Sequence, residues 1–471
     1  MSDNRSTLST QANEPRTLRS QGTVIYWFRN DLRVEDNPAL VDACQHAESL
    51  VFVYCHPPAA LDAQRWNLPH TGLHRQRFVA SALTDLRQQL QARGGELLEV
   101  NMGAAEFIPQ LAHELGSSVV YCEEIAAPYE QDEVFALRVA GLTVHTRWQS
   151  TLLDPADLPF KPEALPDVFT QFRTIIEGNG VQPSAPLAAP QSLPALPHDY
   201  SQIAEKWAVD ARHADTKLKV NTEASVSPRD QRSSFPYFLP AFSGGSVAAS
   251  AHVESYLKRK LPHSYKQTRN QLSGLDYSTK FSPWLASGAI SARQIFSALK
   301  KFEAEHGAND GSYWIWFELL WRDYFRLLHL KYGRQLYVAK GLTDLPTPAH
   351  DAEKFKDWCL ARTGEAFIDA AMTELAATGY LSNRMRQVVA SYLIHELACD
   401  WRAGAAWFEA QLVDYDVYSN QGNWLYIAGR GTDPRNGRRF NIQKQVNDHD
   451  RDGAYRRLWA NLKAKPAINK E

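Results

Sequence analysis

Cysteine is scarce in this chain, and a long apolar run is missing altogether. The five cysteines among 471 residues include no CxxC pair, and no secretory signal precedes them, so reduced thiols in a cytosol-like compartment are expected. No apolar stretch approaches the roughly 18 residues that a transmembrane helix needs, so no membrane attachment is expected. His70 and His74 lie at helical spacing without a third ligand, which argues against a metal site.

An excess of charge of one sign is also missing. The chain has 51 lysines and arginines against 53 aspartates and glutamates, and its formal net charge is -2. Any contact with nucleic acid must therefore come from a local patch. Residues 1–21 are polar and predict a disordered leader; their arginines would also suit a transit peptide, but Asp3 and Glu14 count against one. We expect a cytoplasmic protein if the source is bacterial, with an organelle as the alternative in a eukaryote.

Residues 22–153 alternate short apolar runs with amphipathic stretches, a pattern that predicts an α/β domain with a Rossmann-like parallel sheet. The runs at 24–28, 50–54, 96–100, 119–121 and 142–145 predict strands. Residues 73–93 have helical periodicity and are followed by Gly94 and Gly95. No GxGxxG motif follows the first strand, so the dinucleotide-binding fingerprint is absent from this domain.

The rest of the chain divides into a connector and a helical part. Prolines become frequent and periodicity fades over residues 154–245, which predicts a long inter-domain connector. Residues 246–460 are almost entirely helical in pattern and predict an all-α domain, with a polar tail at 461–471. The expected architecture is therefore an α/β domain joined to an all-α domain.

One predicted helix, at 313–325, is unusually rich in aromatic side chains. The simple interpretation is a core helix in which Glu318 and Arg322, four residues apart, form an intrahelical ion pair. The alternative is a ligand site, because flat rings stack well against a base or a flavin. Upstream, a cluster of hydroxyls and one cation would suit a pyrophosphate, although most such clusters are helix caps. This cluster consists of Ser278, Thr279, Lys280, Phe281 and Ser282.

Two further groups of polar residues lie near the C-terminus. The first mixes cations, carboxylates and amides that would suit the polar edge of a flavin, or would simply include a buried pair of Arg386 with Asp414. It contains Asn383, Arg384, Arg386, Asp414, Tyr415, Asp416 and Asn420. The second is basic and follows Trp424 and Tyr426, so it predicts either a nucleic-acid interface or a solvated loop. It contains Arg430, Arg435, Arg438, Arg439 and Lys444.

Taken together, these segments resemble the photolyase/cryptochrome superfamily over nearly the whole chain. The motifs that carry the resemblance are FRNDLR at 28–33, KFSPW at 280–284, FELLWRDY at 317–324 and LSNR at 381–384. LPDVFT at 165–170, Gln387 and SNQGNW at 419–424 resemble the DASH cryptochromes in particular.

The resemblance implies that the helical domain binds FAD and that the α/β domain carries an antenna, usually methenyltetrahydrofolate. Glu124 is the residue expected to contact that pterin. The FAD phosphates would be held by Tyr265 and by residues 278–282. The flavin ring would be surrounded by Asn383, Arg386, Asp414, Asp416 and Asn420, with Asn420 nearest to N5. Glu318, Arg322 and Tyr415 would also bind the cofactor.

The activity implied by the resemblance is light-driven splitting of cyclobutane pyrimidine dimers by an electron from the reduced flavin. Its catalytic residues would be Glu318, Trp321, Asn383, Gln387 and Tyr426. DNA would be bound by Trp321, Arg322, Asn383, Arg384 and the basic group of residues 430–444. Gln387 and Tyr426 stand where many repair enzymes have Met and Trp, so the lesion pocket should be more polar and stack a base less strongly. Single-stranded lesions are therefore the expected substrate.

The resemblance also implies a route for electrons. Trp424 and Trp401 match the inner and middle tryptophans of the family's photoreduction route, but the position of the outer tryptophan holds Pro348. The last step is expected to be slow or to leave through another aromatic residue, such as Trp358 or Tyr380.

Three functions compete at this point. The first is a monomeric photolyase that prefers single-stranded or damaged DNA. The second is a blue-light photoreceptor or a DNA- or RNA-binding regulator with little repair activity. The third is a nucleotide-binding module without photochemistry, which a colourless purified protein would support.

Overall fold

Five short runs form one parallel sheet, in which a helix returns the chain between successive strands and the central runs are buried on both faces. The computed structural model describes residues 22–56, 66, 68–207, 229–433, 435 and 437–460. Its strands are β1 (Thr23–Phe28), β2 (Ser49–Cys55), β3 (Leu97–Val100), β4 (Val119–Glu123) and β5 (Thr143–Arg147). They are all parallel, in the order β3-β2-β1-β4-β5. The five predicted strands are confirmed, each to within two residues at either end.

Helices cover both faces of this sheet. They are α1 (Pro38–His46), α2 (Leu73–Gln91), α3 (Ala104–Leu115) and α4 (Pro128–Val139). Residues that alternate along β1 separate two cores: Tyr26 packs with Leu40 and Leu86 of α1 and α2, whereas Ile25 packs with Phe107 and Leu137 of α3 and α4. The predicted helix at 73–93 is confirmed as α2.

In its described residues, the predicted connector contains irregular chain, short 3-10 turns and the helices α5 (Phe169–Gly178) and α6 (Tyr200–Trp207). Tyr200 and Ile203 of α6 pack on the α3–α4 side of the sheet. Phe169 and Phe172 of α5 pack against the helical domain instead, beside Tyr324. The predicted leader at 1–21 and tail at 461–471 lie outside the described residues.

The helical domain contains the residues that form the cavity described below. Its helices are α7 (Ser246–Lys258), α8 (Tyr265–Thr268), α9 (Ser282–Ser287), α10 (Ala292–His306), α11 (Asp310–Tyr332), α12 (Ala352–Cys359), α13 (Ala366–Thr378), α14 (Asn383–His395), α15 (Trp401–Gln411), α16 (Val417–Ala428), α17 (Ile442–His449) and α18 (Ala454–Leu458). Gly404 lets α15 approach α16 closely, since a Cβ there would lie 2.2 Å from the Trp424 ring.

Buried polar contacts join the two domains. Asp36, which is fully buried, pairs with Arg293 of α10 at 3.0 Å. The carboxylate of Asp323 in α11 accepts hydrogen bonds from the backbone N–H groups of Leu152 and Leu153, at 2.9 and 2.8 Å. These contacts fix α11, which contributes to the cavity, relative to the sheet. None of the helices in the described part of the chain is long and apolar enough to cross a membrane.

Candidate functional site

A cavity of about 430 Å³ opens in the helical domain and collects most of the predicted site residues. It is lined by α8, α9, α11, α14, α15, α16 and the loop before α9. The predicted residues that line it are Tyr265, Ser278, Thr279, Lys280, Phe281, Ser282, Glu318, Trp321, Arg322, Asn383, Arg386, Gln387, Asp414, Tyr415, Asp416, Asn420, Trp424, Tyr426 and Arg438. Its volume is in the usual range for cofactor pockets, about 300–1,000 Å³.

Two parts of the lining differ in their most buried residues, because Lys280 and Asp414 in the first part are buried, whereas its other members and all of the second part are partly buried. We call Lys280, Arg386, Asp414, Asp416 and Asn420 the buried wall, and Glu318, Trp321, Gln387, Tyr426 and Arg438 the rim.

Lys280 of the buried wall has an unusual conformation and environment. Its backbone lies in the left-handed region, with φ at 57°, which is uncommon for a residue with a side chain. Its Nζ is buried, lies 3.3 Å from the centre of the Tyr277 ring, and has no hydrogen-bond partner among the described residues. Burial lowers the pKa of Lys280 well below its usual value. A buried ammonium without a partner is costly, so this position suits an anionic ligand group.

Arg386 and Asp414 form an ion pair in the buried wall. One guanidinium nitrogen donates to both carboxylate oxygens, at 3.0 and 2.9 Å, and the Arg386 Nε donates to the Leu381 carbonyl at 2.8 Å. The Ser282 hydroxyl donates to the Asp414 carboxylate at 2.6 Å. The predicted pair is confirmed. Both residues also line the cavity, so the structural pair is compatible with ligand binding, which stays a prediction.

Asp416 carries a second fixed charge at the start of α16. Its carboxylate accepts a hydrogen bond from the Ser419 N–H at 2.7 Å and pairs with Arg326. Burial alone would raise the pKa of Asp416, but Arg326 and Arg322 lower it to about 2, so the group is ionised at neutral pH. One turn further along α16, the Asn420 amide donates to the Ala405 carbonyl at 3.0 Å, which fixes the orientation of this side chain in the cavity.

Glu318 at the rim pairs with Arg269 rather than with its helical neighbour. The ion pair of Glu318 with Arg322, expected from their spacing, is wrong, because Arg322 is turned toward the α/β domain and donates to the carbonyls of Ser150 and Leu285. Burial and the charge of Arg326 lower the pKa of Arg322 to about 9. Glu318 is therefore held from outside its own helix.

Arg269 is a cavity residue that was not predicted from the sequence. It lies on the cavity lining four residues after Tyr265, and its guanidinium also covers the Trp314 ring at 4.4 Å. The available signal was this spacing of four, which places Tyr265 and Arg269 on one face of a helix. Asn270, Phe408 and Tyr380 also line the cavity without having been predicted as ligand residues.

Aromatic rings form the side of the rim next to Glu318. Trp321 stacks on Phe169 of the connector, with ring centroids 3.7 Å apart and planes 13° apart. Tyr426 meets Trp321 edge-on at 5.6 Å, and the Arg438 guanidinium covers the Tyr426 ring at 4.4 Å. One face of each ring is thus already covered, which leaves less stacking surface for a ligand.

The predicted basic group is distributed unevenly. Arg430 is 8% exposed and donates to the Pro346 carbonyl at 2.7 Å, so it supports a loop rather than presenting charge at the surface. The side chains of Arg435, Arg439 and Lys444 are each more than 60% exposed. Each of these cations, and Arg438, lies beside a carboxylate; the acceptors are Asp433, Glu396 and Asp448. Arg384 lies outside the cavity lining and donates to Asn270 at 3.1 Å.

The predicted antenna residue, Glu124, lies at the end of β4 and is partly buried. Its backbone N–H donates to the Arg147 carbonyl at 2.8 Å. The preceding residue, Glu123, is the more perturbed one: it is buried, and burial together with Asp31 raises its pKa to about 7. Among the described residues, no group of three histidine, cysteine, aspartate or glutamate side chains is placed to hold a metal ion.

Comparison with known proteins decides which family this arrangement represents. Residues 24–191 match the family described as DNA photolyase, and residues 314–467 match the FAD binding domain of DNA photolyase. Cryptochrome DASH of Xenopus laevis is 44% identical over 446 residues, which cover 93% of this chain and 82% of that protein. Cryptochrome DASH of Gloeobacter violaceus is 42% identical over 448 residues, covering 93% and 86% of the two chains. This chain belongs to the DASH cryptochromes.

Solved structures of a cryptochrome and a photolyase share this fold. The crystal structure of a Synechocystis cryptochrome superposes with a TM-score of 0.82 at 37% identity, covering 94% of this chain and 89% of that one. A class III photolyase from Agrobacterium tumefaciens gives a TM-score of 0.74 at 28% identity, covering 96% and 88%. The predicted superfamily, its DASH branch and the two-domain fold class are confirmed.

The residues present fit the FAD that the matched domain is named for. The Lys280 ammonium lacks a partner among the described residues and would gain one from a phosphate, beside the hydroxyls of Ser278 and Thr279. Asp414, Asp416 and Asn420 supply acceptors and an amide for a polar ring edge. The assignment of single residues to single atoms of FAD stays a prediction.

Proposed function

We propose that this DASH cryptochrome repairs cyclobutane pyrimidine dimers in blue light, and that it prefers dimers in single-stranded DNA. The observation that carries the proposal is the rim: Glu318, held by Arg269, lies beside Trp321 and Tyr426 on the same cavity as the buried wall. A carboxyl group and aromatic rings at the mouth of a flavin cavity can receive an extruded, flat and polar lesion.

Bound FAD, once reduced and excited by light, would supply the electron that splits the dimer. The residues of the protein would bind and position the cofactor and the lesion. Arg386 and Asp414, which form an ion pair, would lie beside the flavin ring, and Asp416 would add a charge that stays ionised at neutral pH. At the rim, Glu318 would contact a pyrimidine carbonyl, and its ion pair with Arg269 fixes where that contact forms.

The preference for single strands follows from weak stacking at the rim. Extrusion of a damaged nucleotide from a duplex costs a few kcal/mol, whereas stacking of one base returns about 1–3 kcal/mol. Phe169 already covers one face of Trp321, and Arg438 covers Tyr426. Gln387 on the same lining is polar rather than apolar. A single-stranded dimer avoids the cost of extrusion, so it is the favoured substrate.

Nucleic acid would reach the cavity across Asn383, Arg384, Arg438 and the exposed cations Arg435, Arg439 and Lys444. Their carboxylate partners reduce the net positive charge, which favours moderate, salt-sensitive binding of a single strand of DNA, with RNA as an alternative strand. We also propose a folate antenna, 5,10-methenyltetrahydrofolate, near Glu124, and a monomeric protein. A cytoplasmic location is proposed for a bacterial source; curated plant relatives are described as chloroplastic/mitochondrial, which keeps an organelle as the eukaryotic alternative.

The test compares one oligonucleotide containing a thymine dimer in two forms, single-stranded and annealed to its complement. Protein with chemically reduced flavin is illuminated with blue light, and initial rates of dimer reversal are measured at equal occupancy of the two substrates. We expect fast reversal in the single strand and slow reversal in the duplex. Equal rates would contradict the preference. Binding of both forms without reversal would instead favour the photoreceptor or regulator function.

A further inference from the structure

An indole from the first part of the chain contacts His350, close in sequence to Pro348, where the resemblance places an outer tryptophan in other family members. His350, two residues from Pro348, is exposed, and its ring contacts Trp66 edge-on with centroids 4.9 Å apart. Trp66 is half-buried and packs against the core of the helical domain. This edge of the domain therefore carries a tryptophan that is distant in sequence.

A chain of contacting rings leads from Trp66 to the cavity. His350 lies 5.5 Å from Phe355, and Phe355 stacks on Trp358 at 6.1 Å with planes 23° apart. Trp358 then contacts Trp424 at 6.5 Å, and Trp424 lines the cavity. The rate of electron tunnelling falls steeply with the gap between groups, so rings in contact favour fast electron transfer.

Phe408 contacts both inner indoles, Trp358 and Trp424. Its ring lies 5.1 Å from Trp424 and 6.3 Å from Trp358, and it also lines the cavity. In the described part of the chain, Trp401 packs in the same core as Trp358 and Trp424 but makes no comparable ring contact, and its N–H donates to the Ala339 carbonyl at 3.2 Å. Ring contacts therefore favour Trp358 over Trp401 as the middle station.

We propose that Trp66 is the surface donor of an electron route that runs through Trp358 to Trp424 and the cavity. Tryptophan is the most readily oxidised of the side chains along this path, whereas His350 and Phe355 serve as packed bridges between two indoles. The proposal rests on the flavin photochemistry proposed above, but it does not require that dimers are repaired.

An external thiol, acting as the reductant, replaces the electron that leaves Trp66. Trp424 gives one electron to the photoexcited oxidised cofactor and is refilled by Trp358, which is refilled in turn by Trp66. The oxidised Trp66 indole, half-exposed, releases its N–H proton to water. A thiol then returns one electron and one proton to Trp66, and two thiyl radicals combine to a disulfide.

The test uses the complete protein with its flavin bound and follows the tryptophan radical by transient absorption after a flash. Trp66→Phe should lose the long-lived radical and slow photoreduction by the thiol. The matched control is Trp207→Phe, since Trp207 is also half-buried but packs on Phe107 in the α/β domain, at 5.3 Å. This variant should keep both signals. His350→Ala, an exposed change that leaves every indole in place, should lower the radical yield.

Three outcomes would overturn the route: a long-lived radical that survives in Trp66→Phe, an equal loss in Trp207→Phe, or no long-lived radical in the wild type. A radical retained in Trp66→Phe but lost in Trp401→Phe would reassign the route to Trp401. Repair is measured separately on protein reduced with dithionite, where Trp66→Phe should equal the wild type. Absence of repair together with loss of the radical in Trp66→Phe would refute the proposed repair function and leave the route intact.

Discussion

The buried wall and the rim of the cavity each contain an arginine–carboxylate pair, and the pairs differ in the burial of the carboxylate, since both arginine side chains are 22% exposed. The Asp414 side chain is 1% exposed and is held by Arg386 and Ser282, whereas the Glu318 side chain is 33% exposed and held by Arg269. A buried pair cannot lose one partner without leaving a charge in a poor solvent, whereas an exposed pair can rearrange. From this difference we predict a permanently bound ligand at the wall and an exchanging ligand at the rim.

The largest effect is expected for Asp414→Asn, which leaves Arg386 without its counter-charge and tests the difference between the wall and the rim. We expect a loss of about 3–5 kcal/mol in the free energy of unfolding, together with poor retention of flavin. Urea unfolding of the flavin-free protein measures the first, and absorbance after gel filtration measures the second. The control is Asp448→Asn, which breaks the exposed pair with Lys444 and should cost less than about 1 kcal/mol. Similar losses in both variants would contradict the distinction.

A pH-dependent effect is expected behind the wall, at Glu374. This residue is fully buried beside Lys280 and Arg386, accepts a hydrogen bond from the Tyr455 hydroxyl, and burial raises its pKa to about 8. Between about pH 4.5 and about pH 8 the carboxyl is protonated in the folded protein and ionised in the unfolded one. The unfolded state then binds fewer protons, so the free energy of unfolding falls as the pH rises through this window.

Glu374→Gln should remove that slope. Each unit of pKa difference is worth about 1.4 kcal/mol, so the wild type should lose a few kcal/mol across the window relative to the variant. Thermal unfolding of both flavin-free proteins at several pH values measures the difference in their free energies of unfolding. Contributions from groups that both proteins share cancel in this difference. Parallel curves would show that Glu374 is ionised in the folded protein.

At the rim, Tyr426→Trp tests whether the size of this ring limits repair of dimers in duplex DNA. A larger ring should add stacking, and stacking of a base is worth about 1–3 kcal/mol, so duplex repair should rise by about tenfold. Repair of the single strand should change little, because no extrusion limits it. The rate ratio between the two substrates is the measurement, and the stability of the protein should stay within about 0.5 kcal/mol. An unchanged ratio would remove ring size as the cause of the preference.

The smallest effect is expected for the exposed cations. Arg438→Gln removes a positive charge that lies on the Tyr426 ring at the cavity. Lys444→Gln removes an exposed positive charge on α17 that is already paired with Asp448. Each phosphate contact to a single strand contributes about 0.7 to the slope of log K against log salt. We expect a decrease of about that size for Arg438→Gln and a smaller one for Lys444→Gln. A larger effect at Lys444 would reverse the order of the two contacts.

The sequence predicted the parts of this protein that depend on local patterns. Strands followed from runs of β-branched and aromatic residues, and the cavity lining followed from motifs whose members are close in the chain. Arg269 escaped notice because its partner, Glu318, is 49 residues away. Arg430 looked like a surface cation, since nothing in the sequence shows that the Pro346 carbonyl accepts its hydrogen bond.

The contacts of Trp66 were unpredictable for the same reason. Its ring partner, His350, lies in another domain, and a lone tryptophan in a stretch without periodicity carries no signal of its own. The pairing of Glu318 shows a related error, in which helical spacing suggested Arg322 but packing against the α/β domain took that side chain away. Long-range packing decides such cases, and a single sequence does not report it.

The measurement that tests the central claim most directly is reversal of one thymine dimer in a single-stranded oligonucleotide by protein with reduced flavin. Restored thymines are counted by chromatography in blue light and in the dark, for the wild type and for Glu318→Gln. The account predicts repeated turnovers in light, none in the dark, and a decrease of about a hundredfold in Glu318→Gln at unchanged flavin content. Full flavin content with no reversal by the wild type in light would contradict it.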